Sequence, residues 1–292
     1  MKILIIGKGY IGGRCAQRWP DAVVSESMIN TVDDARKILD EFKPDAVLNA
    51  AGVRGKPNVD WCETNQMETI LGNTVLPILL AQACQERQTY LLHIGSGCVF
   101  YGPSPDPAGW KEDDFGNPKA VYSRTKWAAD LVLSTLPNVG IARIRMPMDW
   151  VPSPGNIIDK LATYEKVIDV ENSLTVIEDM VEVFRQLLER KAEGIFHVTN
   201  PGTIKHREIV ALYQELVGPA KVKEWISEEE LVTEGLAKKV RSTNKLQSNN
   251  LAKFDIHMRP VQEAARETMQ RYAKARIEME KEKQANSEQL SC

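Results

Sequence analysis

The sequence has few of the features that mark membrane proteins or proteins that bind nucleic acid. Its apolar runs are short: even Val75–Ala83 contains Pro77 and Gln82, whereas a helix needs about 20 apolar residues to cross a bilayer. Lysine and arginine together number 37 against 40 aspartate and glutamate residues, so the formal net charge is −3. Because no excess of positive charge is present to hold nucleic acid or an acidic membrane, we expect neither as a partner.

Metal-binding and disulfide patterns are also missing. The five cysteines are scattered without CxxC spacing, and the four histidines have no ligand spacing, so we expect no metal. Met1 leads directly into Lys2–Ile6, which is typical of a buried strand, and the cleavage region of a signal peptide is lacking. These features favour a cytoplasmic protein with reduced thiols. With 292 residues, 43% of them apolar and 26% charged, the composition is that of a globular enzyme.

What the sequence does contain is an alternation of strand-length apolar runs with helix-length amphipathic segments. The pattern predicts strands at Lys2–Ile6, Ala22–Val24, Ala46–Asn49, Tyr90–Ile94 and Ile141–Arg145. It predicts helices at Ile11–Trp19, Thr31–Phe42, Asn65–Arg87 and Val121–Leu136. Repeated strand–helix–strand order gives a parallel sheet with helices on both faces, so the predicted fold class is α/β, a doubly wound parallel sheet of the Rossmann type. Ligands bind such a sheet at the carboxyl edge of its strands.

After Pro147 the alternation becomes irregular, which indicates a smaller lobe built from the later segments. Helices are predicted there at Asn156–Lys166, Glu208–Val217 and Ser227–Lys238, and Ile195–Val198 is expected to rejoin the main sheet. We expect residues 1–149 with 168–200 to form the Rossmann domain. Residues 150–167 with 201–273 are expected to form the substrate-binding lobe, and 274–292 a charged tail.

A glycine-rich turn, Gly7-Lys8-Gly9-Tyr10-Ile11-Gly12, joins the first predicted strand to the first predicted helix. Gly7 permits the tight turn, Gly9 lets the backbone approach a pyrophosphate, and Gly12 lets helix and strand pack closely. The helix start adds N–H donors and a positive dipole, which predicts cofactor contacts from Tyr10 and Ile11 as well. This context indicates a dinucleotide site.

The choice between NADH and NADPH stays open from the sequence. Glu26, near the end of the second predicted strand, is a candidate to hold the adenosine ribose diol, which favours NAD. Ser25 and Ser27 flank it and could accept a phosphate instead, although no arginine lies close by to bind one. Both NADPH and NADH are therefore candidate cofactors.

Tyr122 and Lys126 begin a predicted helix with i,i+4 spacing, which stacks them on one helix face. An ammonium beside a phenol is expected to lower the pKa of the phenol from about 10. A carbonyl reductase needs such a proton donor, because hydride attack creates an alkoxide. Ser96 follows the fourth predicted strand at the ligand edge, where it could share the substrate carbonyl with Tyr122. The spacing of Tyr122 and Lys126 is common on helix surfaces, so without Ser96 it would say little about function.

The third predicted strand ends in small residues, Asn49-Ala50-Ala51-Gly52, where a cofactor could lie against the backbone. Asn73, within the long predicted helix, is expected to form a buried polar bridge. Together with the glycine turn, Ser96, Tyr122 and Lys126, these residues resemble the extended short-chain dehydrogenase/reductases over about the first half of the chain. That resemblance implies that Tyr122 and Lys126 also contact the cofactor.

Most of the chain, as far as about Leu251, resembles a narrower family, the nucleotide-rhamnose synthases or epimerase/reductases, which are related to the dTDP-4-dehydrorhamnose reductases. The strings that carry this resemblance are Asn49-Ala-Ala-Gly-Val53, Pro57-Asn-Val-Asp-Trp-Cys-Glu63, Gly97-Cys-Val-Phe100, Arg143-Ile-Arg-Met-Pro147, Tyr164-Glu-Lys-Val167, Thr199-Asn-Pro-Gly202 with His206, and Arg241-Ser-Thr-Asn244. The resemblance implies a nucleotide-linked 4-keto-6-deoxyglucose as substrate. It also implies inversion at C3 and C5 followed by reduction at C4, giving the L-rhamnose nucleotide.

Epimerisation beside a ketone needs a base on one face of the sugar and an acid on the other. The family places a cysteine and a lysine there, and Cys98 and Lys160 occupy the matching positions. If the chain stays extended through Gly97, Ser96 and Cys98 point to the same face. The alternatives are a buried apolar role for Cys98 and a solvated helix face for Lys160.

Substrate contacts are expected from five further residues, Arg54, Asn156, Asn200, Arg241 and Asn244. Arg241 and Asn244 are the expected diphosphate and base contacts, with a surface loop as the alternative. The sequence departs from the plant pattern in its shorter glycine turn and in Met28, which stands near the family's arginine. The loop Tyr101–Asp114 also differs, which leaves the exact sugar open. UDP and dTDP are both candidate nucleotides.

Two other functions remain open at this stage. One is a 4-keto-sugar reductase without epimerase activity, and the other is a non-catalytic NAD(P)-binding regulatory subunit. The presence of Cys98 and Lys160 argues against the first, and the presence of Ser96, Tyr122 and Lys126 argues against the second. The sequence leaves the oligomeric state open, with a homodimer as one candidate.

Overall fold

The computed structural model describes residues 1–289. In chain order its strands and helices are β1 (Ile3–Ile6), α1 (Tyr10–Arg18), β2 (Ala22–Ser25), α2 (Val32–Phe42), β3 (Ala46–Asn49), α3 (Gln66–Ile70), α4 (Leu76–Glu86), β4 (Tyr90–Ser96), α5 (Val121–Leu133), β5 (Val139–Ile144), β6 (Pro147–Met148), α6 (Ile157–Thr163), β7 (Lys166–Ile168), β8 (Glu171–Val176), α7 (Ile177–Arg190), β9 (Gly194–Val198), β10 (Asn200–Lys205), α8 (His206–Leu216), β11 (Glu224–Ile226), α9 (Glu228–Thr233) and α10 (Val261–Gln289).

The main sheet has six strands in the order β2-β1-β3-β4-β5-β9, and every neighbouring pair is parallel. This confirms the predicted α/β class and the five predicted strands. Ile195–Val198 rejoins the sheet within β9, as expected. The strand order reverses between β1 and β3, which places a crevice at the carboxyl edge of the sheet.

Helices cover both faces of this sheet. Ile3 and Ile5 pack on one side with α1 and α7, whereas Leu4 and Ile6 pack on the other side with α2, α4 and α5. Alternate side chains of a strand point to opposite faces, so a strand covered on both sides needs apolar residues at every position. That requirement explains why β1 is the uninterrupted apolar run Ile3–Ile6.

The predicted helix Asn65–Arg87 forms, but in three parts. A π-helical segment, Leu71–Val75, lies between α3 and α4. Within residues 1–289, the stretch Gln66–Glu86 is the one helix with the length and apolar composition to cross a membrane. It packs against α2 and α5 over the sheet, which is the position of a core helix in a globular domain.

A second, smaller part contains a three-stranded sheet, β10-β8-β6, and the pair β11-β7. Leu174, Ile209 and Met269 belong to its apolar core, which α8 and α10 help to form. Strand β8 was expected in the Rossmann domain but pairs in this small sheet instead. The domain limits 1–149 with 168–200 and 150–167 with 201–273 therefore stay a prediction.

Several later boundaries differ from expectation. The helix predicted at Asn156–Lys166 is the shorter α6, because β7 begins at Lys166. The helix predicted at Ser227–Lys238 is α9, which Ser227 caps through its side chain. Helix α10 runs without a break through residue 274, so the first part of the predicted tail 274–292 continues this helix. Its last three residues, 290–292, lie outside the described part.

Candidate active site

A cavity of about 720 Å³ is lined by residues that follow strands of the main sheet and by residues of the smaller part. Arg54 comes from the segment after β3 and Cys98 from the turn after β4. Tyr122 lies on α5, Lys160 on α6, and Arg241 in the segment after α9. The structure therefore brings five of the predicted catalytic and substrate-binding residues to one cavity.

The described lining residues give this cavity an excess of positive charge. Six basic and three acidic side chains line it: Arg54, Arg145, Lys160, Lys166, Lys239 and Arg241 against Asp60, Glu63 and Glu165. The whole chain, in contrast, has a formal net charge of −3. Lining of this kind favours an anionic ligand such as a diphosphate.

Tyr122 and Lys126 lie one helical turn apart at the start of α5. The pKa of Tyr122 was expected to fall beside the ammonium, but it is raised, mainly by burial and further by Cys98. The hydroxyl of Ser96 opposes part of this rise. Lys126 Nζ donates to the Ile94 carbonyl at 2.9 Å, and burial lowers the pKa of Lys126 to about 8. Tyr122 is thus held as a neutral phenol, the form that can donate a proton.

Ser96 is the last residue of β4, is almost fully buried, and is not among the residues that line the cavity. The chain does not stay extended through Gly97, which corrects the expected geometry. Gly97–Val99 forms a 3₁₀ turn, and the Ser96 Oγ accepts the Cys98 backbone N–H at 3.2 Å. Cys98 nevertheless lines the cavity, and the residue is partly exposed.

The surroundings of Cys98 and Lys160 are both cationic. Arg145 Nη1 donates to Cys98 Sγ at 3.1 Å, and reactive cysteines are found in such positively charged, accessible sites. Burial lowers the pKa of Lys160, and the charges of Arg54 and Arg241 lower it further. Both effects favour the neutral amine, which is the form of Lys160 that can accept a proton.

The glycine turn fits a dinucleotide. Gly7 has a φ of +95°, which favours glycine, and a Cβ on Gly12 would clash with the Gly7 carbonyl oxygen. A Cβ on Gly9 would meet nothing within 4 Å, so the space in front of it is open. No side chain caps the first turn of α1, and the backbone N–H groups of Tyr10 and Ile11 remain available for a phosphate.

A groove of about 280 Å³ lies beside this turn, where the adenosine part of a dinucleotide would bind. Lys8, Ser25, Glu26 and Ser27 line it together with Ala51. Glu26 forms an exposed ion pair with Lys8 at 3.0 Å. The residues predicted to select between NADH and NADPH thus lie in one groove, where their roles stay a prediction.

The segment Asn49–Gly52 is fixed by polar contacts at the end of β3. The Asn49 side chain accepts the Ala51 N–H at 3.2 Å and contacts His93 Nδ1 at 3.1 Å. Asn73, in the π-helical segment, bonds the N–H and the carbonyl of Val53 at 2.8 and 2.7 Å. It is fully buried, which confirms the predicted polar bridge.

Three expected substrate contacts need correction, because the amide side chains concerned are buried and bound to the protein itself. Asn156 caps α6 and donates to the Asp149 carbonyl at 2.7 Å. Asn200 donates to Asp179 at 2.7 Å and accepts the Val176 N–H at 2.8 Å. Asn244 donates to the carbonyls of Gly97 and Phe100 at 3.0 and 2.9 Å. None of the three lines the cavity.

Arg241 does line the cavity, but its guanidinium is already paired. It bonds both carboxylate oxygens of Asp60, at 2.9 and 2.7 Å. Sequence reasoning missed Asp60 and also gave no role to Arg145. Arg145 comes directly after β5, at the same edge of the sheet where Ser96 ends β4. Its position at the end of a predicted strand could have identified it as a site residue. Within the part of the chain that the structure describes, no group of His, Cys, Asp or Glu has a metal-site arrangement.

Comparison with known protein families gives a match to the RmlD substrate binding domain over residues 1–274. The chain belongs to this family. A bifunctional dTDP-4-dehydrorhamnose 3,5-epimerase/dTDP-4-dehydrorhamnose reductase of Arabidopsis thaliana is 36% identical over 228 residues, which cover 74% of this chain and 76% of the plant protein. The predicted resemblance to epimerase/reductases is thereby confirmed at the level of the family.

Solved structures of similar fold include members of the same group. A UDP-rhamnose synthase from Acanthamoeba polyphaga mimivirus is 28% identical with a TM-score of 0.87, covering 93% of this chain and 99% of that one. A dTDP-4-dehydrorhamnose reductase from Bacillus anthracis, solved in complex with NADP, has a TM-score of 0.77 at 20% identity and covers 93% of this chain and 98% of that one. The second similarity shows the fold alone.

Proposed function

We propose that this member of the RmlD family is a bifunctional 3,5-epimerase/4-reductase that converts a nucleotide-linked 4-keto-6-deoxyglucose to the L-rhamnose nucleotide with NAD(P)H. The observation that carries the proposal is the placement of Cys98, Tyr122 and Lys160 around one cavity with a cationic lining. The similarity to the plant bifunctional enzyme supports the same reaction. A cytoplasmic location and a homodimer stay predictions.

The epimerase half uses the ketone at C4, which acidifies the hydrogens on C3 and C5. Lys160, as a neutral amine, takes a proton from carbon, and the negative charge moves onto the C4 oxygen as an enolate. Cys98 returns a proton to the opposite face of the same carbon, which inverts it. Tyr122 and Ser96 stabilise the enolate oxygen by hydrogen bonding.

The reductase half uses the same oxygen. When bound, NAD(P)H supplies a hydride to C4. Tyr122 gives its phenolic proton to the C4 oxygen as the alkoxide forms, and the raised pKa of Tyr122 keeps that proton in place until then. Lys126 lies one turn further along α5 and supports the phenolate that remains. The glycine turn and Asn49–Gly52 would hold the cofactor.

Arg145 is bonded to Cys98, Asn172 and Ser242, so the nucleotide diphosphate would lie against the other cations of the lining. Arg54 is one of these, and among the described residues no carboxylate pairs with its guanidinium. Asp60 bonds the Arg241 guanidinium through both carboxylate oxygens, so this guanidinium has a fixed position in the cavity wall. A guanidinium group with a fixed position can bind two oxygens of one phosphate at the same time.

The deciding experiment incubates the purified chain in D2O with UDP- or dTDP-4-keto-6-deoxyglucose, with and without NADPH or NADH, and measures deuterium at C3 and C5 by mass spectrometry. Uptake without cofactor, lost in Cys98→Ala and Lys160→Ala, is the expected epimerase result. Cofactor-dependent formation of the rhamnose nucleotide, lost in Tyr122→Phe, is the expected reductase result.

Two outcomes would contradict the bifunctional proposal. If the chain reduces pre-epimerised sugar but shows no deuterium uptake at C3 or C5, it is a reductase without epimerase activity. Binding of NAD(P)H with neither activity would point to a regulatory subunit. Glu41→Gln, an exposed change on α2 away from the cavity, serves as the control for preparation and stability.

A further inference from the structure

Arg145 lies between the predicted epimerase cysteine and the smaller part of the chain. It follows β5 directly and is 6% exposed. Its Nη1 donates to Cys98 Sγ at 3.1 Å, and its Nη2 donates to Asn172 Oδ1 at 2.7 Å and to the Ser242 carbonyl. The guanidinium is therefore held from three directions with one edge turned toward the sulfur.

The charge of Arg145 is not neutralised by these contacts. Among the described residues its acceptors are a sulfur, an amide oxygen and a backbone carbonyl, none of which is a carboxylate. Arg143, two positions earlier, differs in this respect, because Asp130 pairs with it at 2.7 Å. His206 also faces Arg145, but burial lowers the pKa of His206 to about 4, so it is neutral near pH 7 and brings no charge.

We propose that Arg145 is a positioning residue for the epimerase half-reaction alone, where it stabilises the Cys98 thiolate that forms when the thiol gives up its proton. This inference rests on the function proposed above. The geometry supports it because a buried anion is costly unless a donor already points at it, and Arg145 Nη1 points at Sγ before any charge forms.

The proton transfers balance. The S–H bond of Cys98 breaks and its electron pair stays on sulfur, while the enolate supplies the pair for the new C–H bond and the C4 carbonyl re-forms. Lys160 holds the proton removed from the opposite face as an ammonium. Exchange of protons with water then returns Cys98 and Lys160 to their starting forms. Reduction at C4 involves neither residue, so it does not need Arg145.

The first test measures the thiol itself, without substrate. Iodoacetamide reacts with the full-length chain at pH 7, and peptide mass spectrometry follows modification at Cys98, since Cys15, Cys62 and Cys84 are buried. Arg145→Met should slow Cys98 alkylation on the order of tenfold, and Arg145→Lys, which keeps the charge, should restore part of the rate. Arg124→Met, which removes an exposed arginine of α5, is the matched control and should leave the rate unchanged.

The second test separates the two half-reactions in the same variants. Arg145→Met should reduce deuterium uptake at C3 and C5 about a hundredfold, while reduction of pre-epimerised sugar changes by less than about threefold. Arg145→Lys should recover part of the uptake. A merely structural role would lower both activities together and would not depend on charge.

Three results would overturn the inference: equal alkylation rates in wild type and Arg145→Met, equal loss of both half-reactions, or no difference between the Lys and Met variants. Wild-type protein with a fast-reacting Cys98 but no deuterium uptake would instead contradict the bifunctional function, and with it the assignment of Arg145 to epimerisation. The alkylation rates distinguish that case from the others. Circular dichroism melting of each variant excludes unfolding as the cause.

Discussion

Arg143 and Asp130 form an ion pair in which neither side chain is exposed: Arg143 Nε donates to Asp130 Oδ2 at 2.7 Å. Arg143 belongs to β5 and Asp130 to α5, so the pair joins the main sheet to the helix that carries Tyr122 and Lys126. Asp130 lies one turn beyond Lys126. The pair therefore affects both the packing of α5 and the charge around Lys126.

Breaking this pair on one side should destabilise the fold strongly. Asp130→Leu or Arg143→Met leaves one buried charge without its partner, which typically costs about 3–5 kcal/mol in the free energy of unfolding. The double variant should lose much less than the sum of the two, because no charge is left behind. Urea denaturation of the four proteins measures this, and strictly additive losses would contradict it.

The pH dependence of reduction should reflect Lys126. Its pKa is lowered to about 8 by burial, and the Asp130 carboxylate opposes that fall. Because the ammonium is the supporting form, kcat/KM for reduction of pre-epimerised sugar should be constant at lower pH and should fall above about pH 8. In Asp130→Asn the opposing charge is gone, so the decline should begin at lower pH.

This profile is measured between pH 6 and 10 at a temperature where Asp130→Asn remains folded. The exposed Asp33→Asn is the control and should keep the wild-type profile. An unshifted profile in Asp130→Asn would mean that another group governs the alkaline decline.

Two glycines of the dinucleotide turn should respond differently to alanine. Gly9 has a φ of −69° and open space where a Cβ would be, so Gly9→Ala should keep the melting temperature. It should nevertheless raise the Kd for NAD(P)H about tenfold, since the methyl group fills the space for the pyrophosphate. Gly12→Ala should destabilise the fold by about 1–3 kcal/mol, because its Cβ clashes with the Gly7 carbonyl.

Calorimetric titration with NADPH and NADH, together with thermal melts, distinguishes the two effects. Gly13→Ala, on the same helix, is the control, because its Cβ would approach nothing closer than 3.9 Å. Tight cofactor binding by Gly9→Ala would argue against the turn as the pyrophosphate site.

Glu26 should influence cofactor preference. Its carboxylate lies in the groove beside the glycine turn, paired with Lys8 in an exposed contact that contributes little to stability. Glu26→Gln removes a negative charge that would repel a 2′-phosphate and releases Lys8 to attract one. The ratio of kcat/KM for NADPH to that for NADH should therefore rise by about three- to tenfold. The exposed change Glu41→Gln should leave the ratio unaltered, and an unaltered ratio in Glu26→Gln would exclude Glu26 from the selection.

Much of the fold could be predicted from the sequence, because it depends on short-range patterns. The apolar runs that become strands are set by burial on both faces, as in Ile3–Ile6. The glycine turn and the i,i+4 spacing of Tyr122 and Lys126 are likewise local, and both lie where the pattern placed them. The helix predicted at Thr31–Phe42 also forms, and in the structure Thr31 and Asp34 make a capping box at its start.

Where side chains find their partners could not be predicted in this way. Asn156, Asn200 and Asn244 were expected at the substrate, yet each satisfies buried backbone groups that only the folded chain brings near. A buried amide must find partners, and those partners come from other segments. The turn at Gly97 similarly depends on the Ser96 side chain accepting a backbone N–H.

The sequence by itself determined the strands, the glycine turn and the family to which the chain belongs, since each follows from residues close together in the chain. Tertiary structure alone decided which cations line the cavity and that Arg145 faces Cys98. Arg145 and Cys98 are 47 positions apart, and Arg145 and Ser242 are 97 apart. Contacts over such distances are fixed by how the sheet and the smaller part pack together, and no short pattern records that packing.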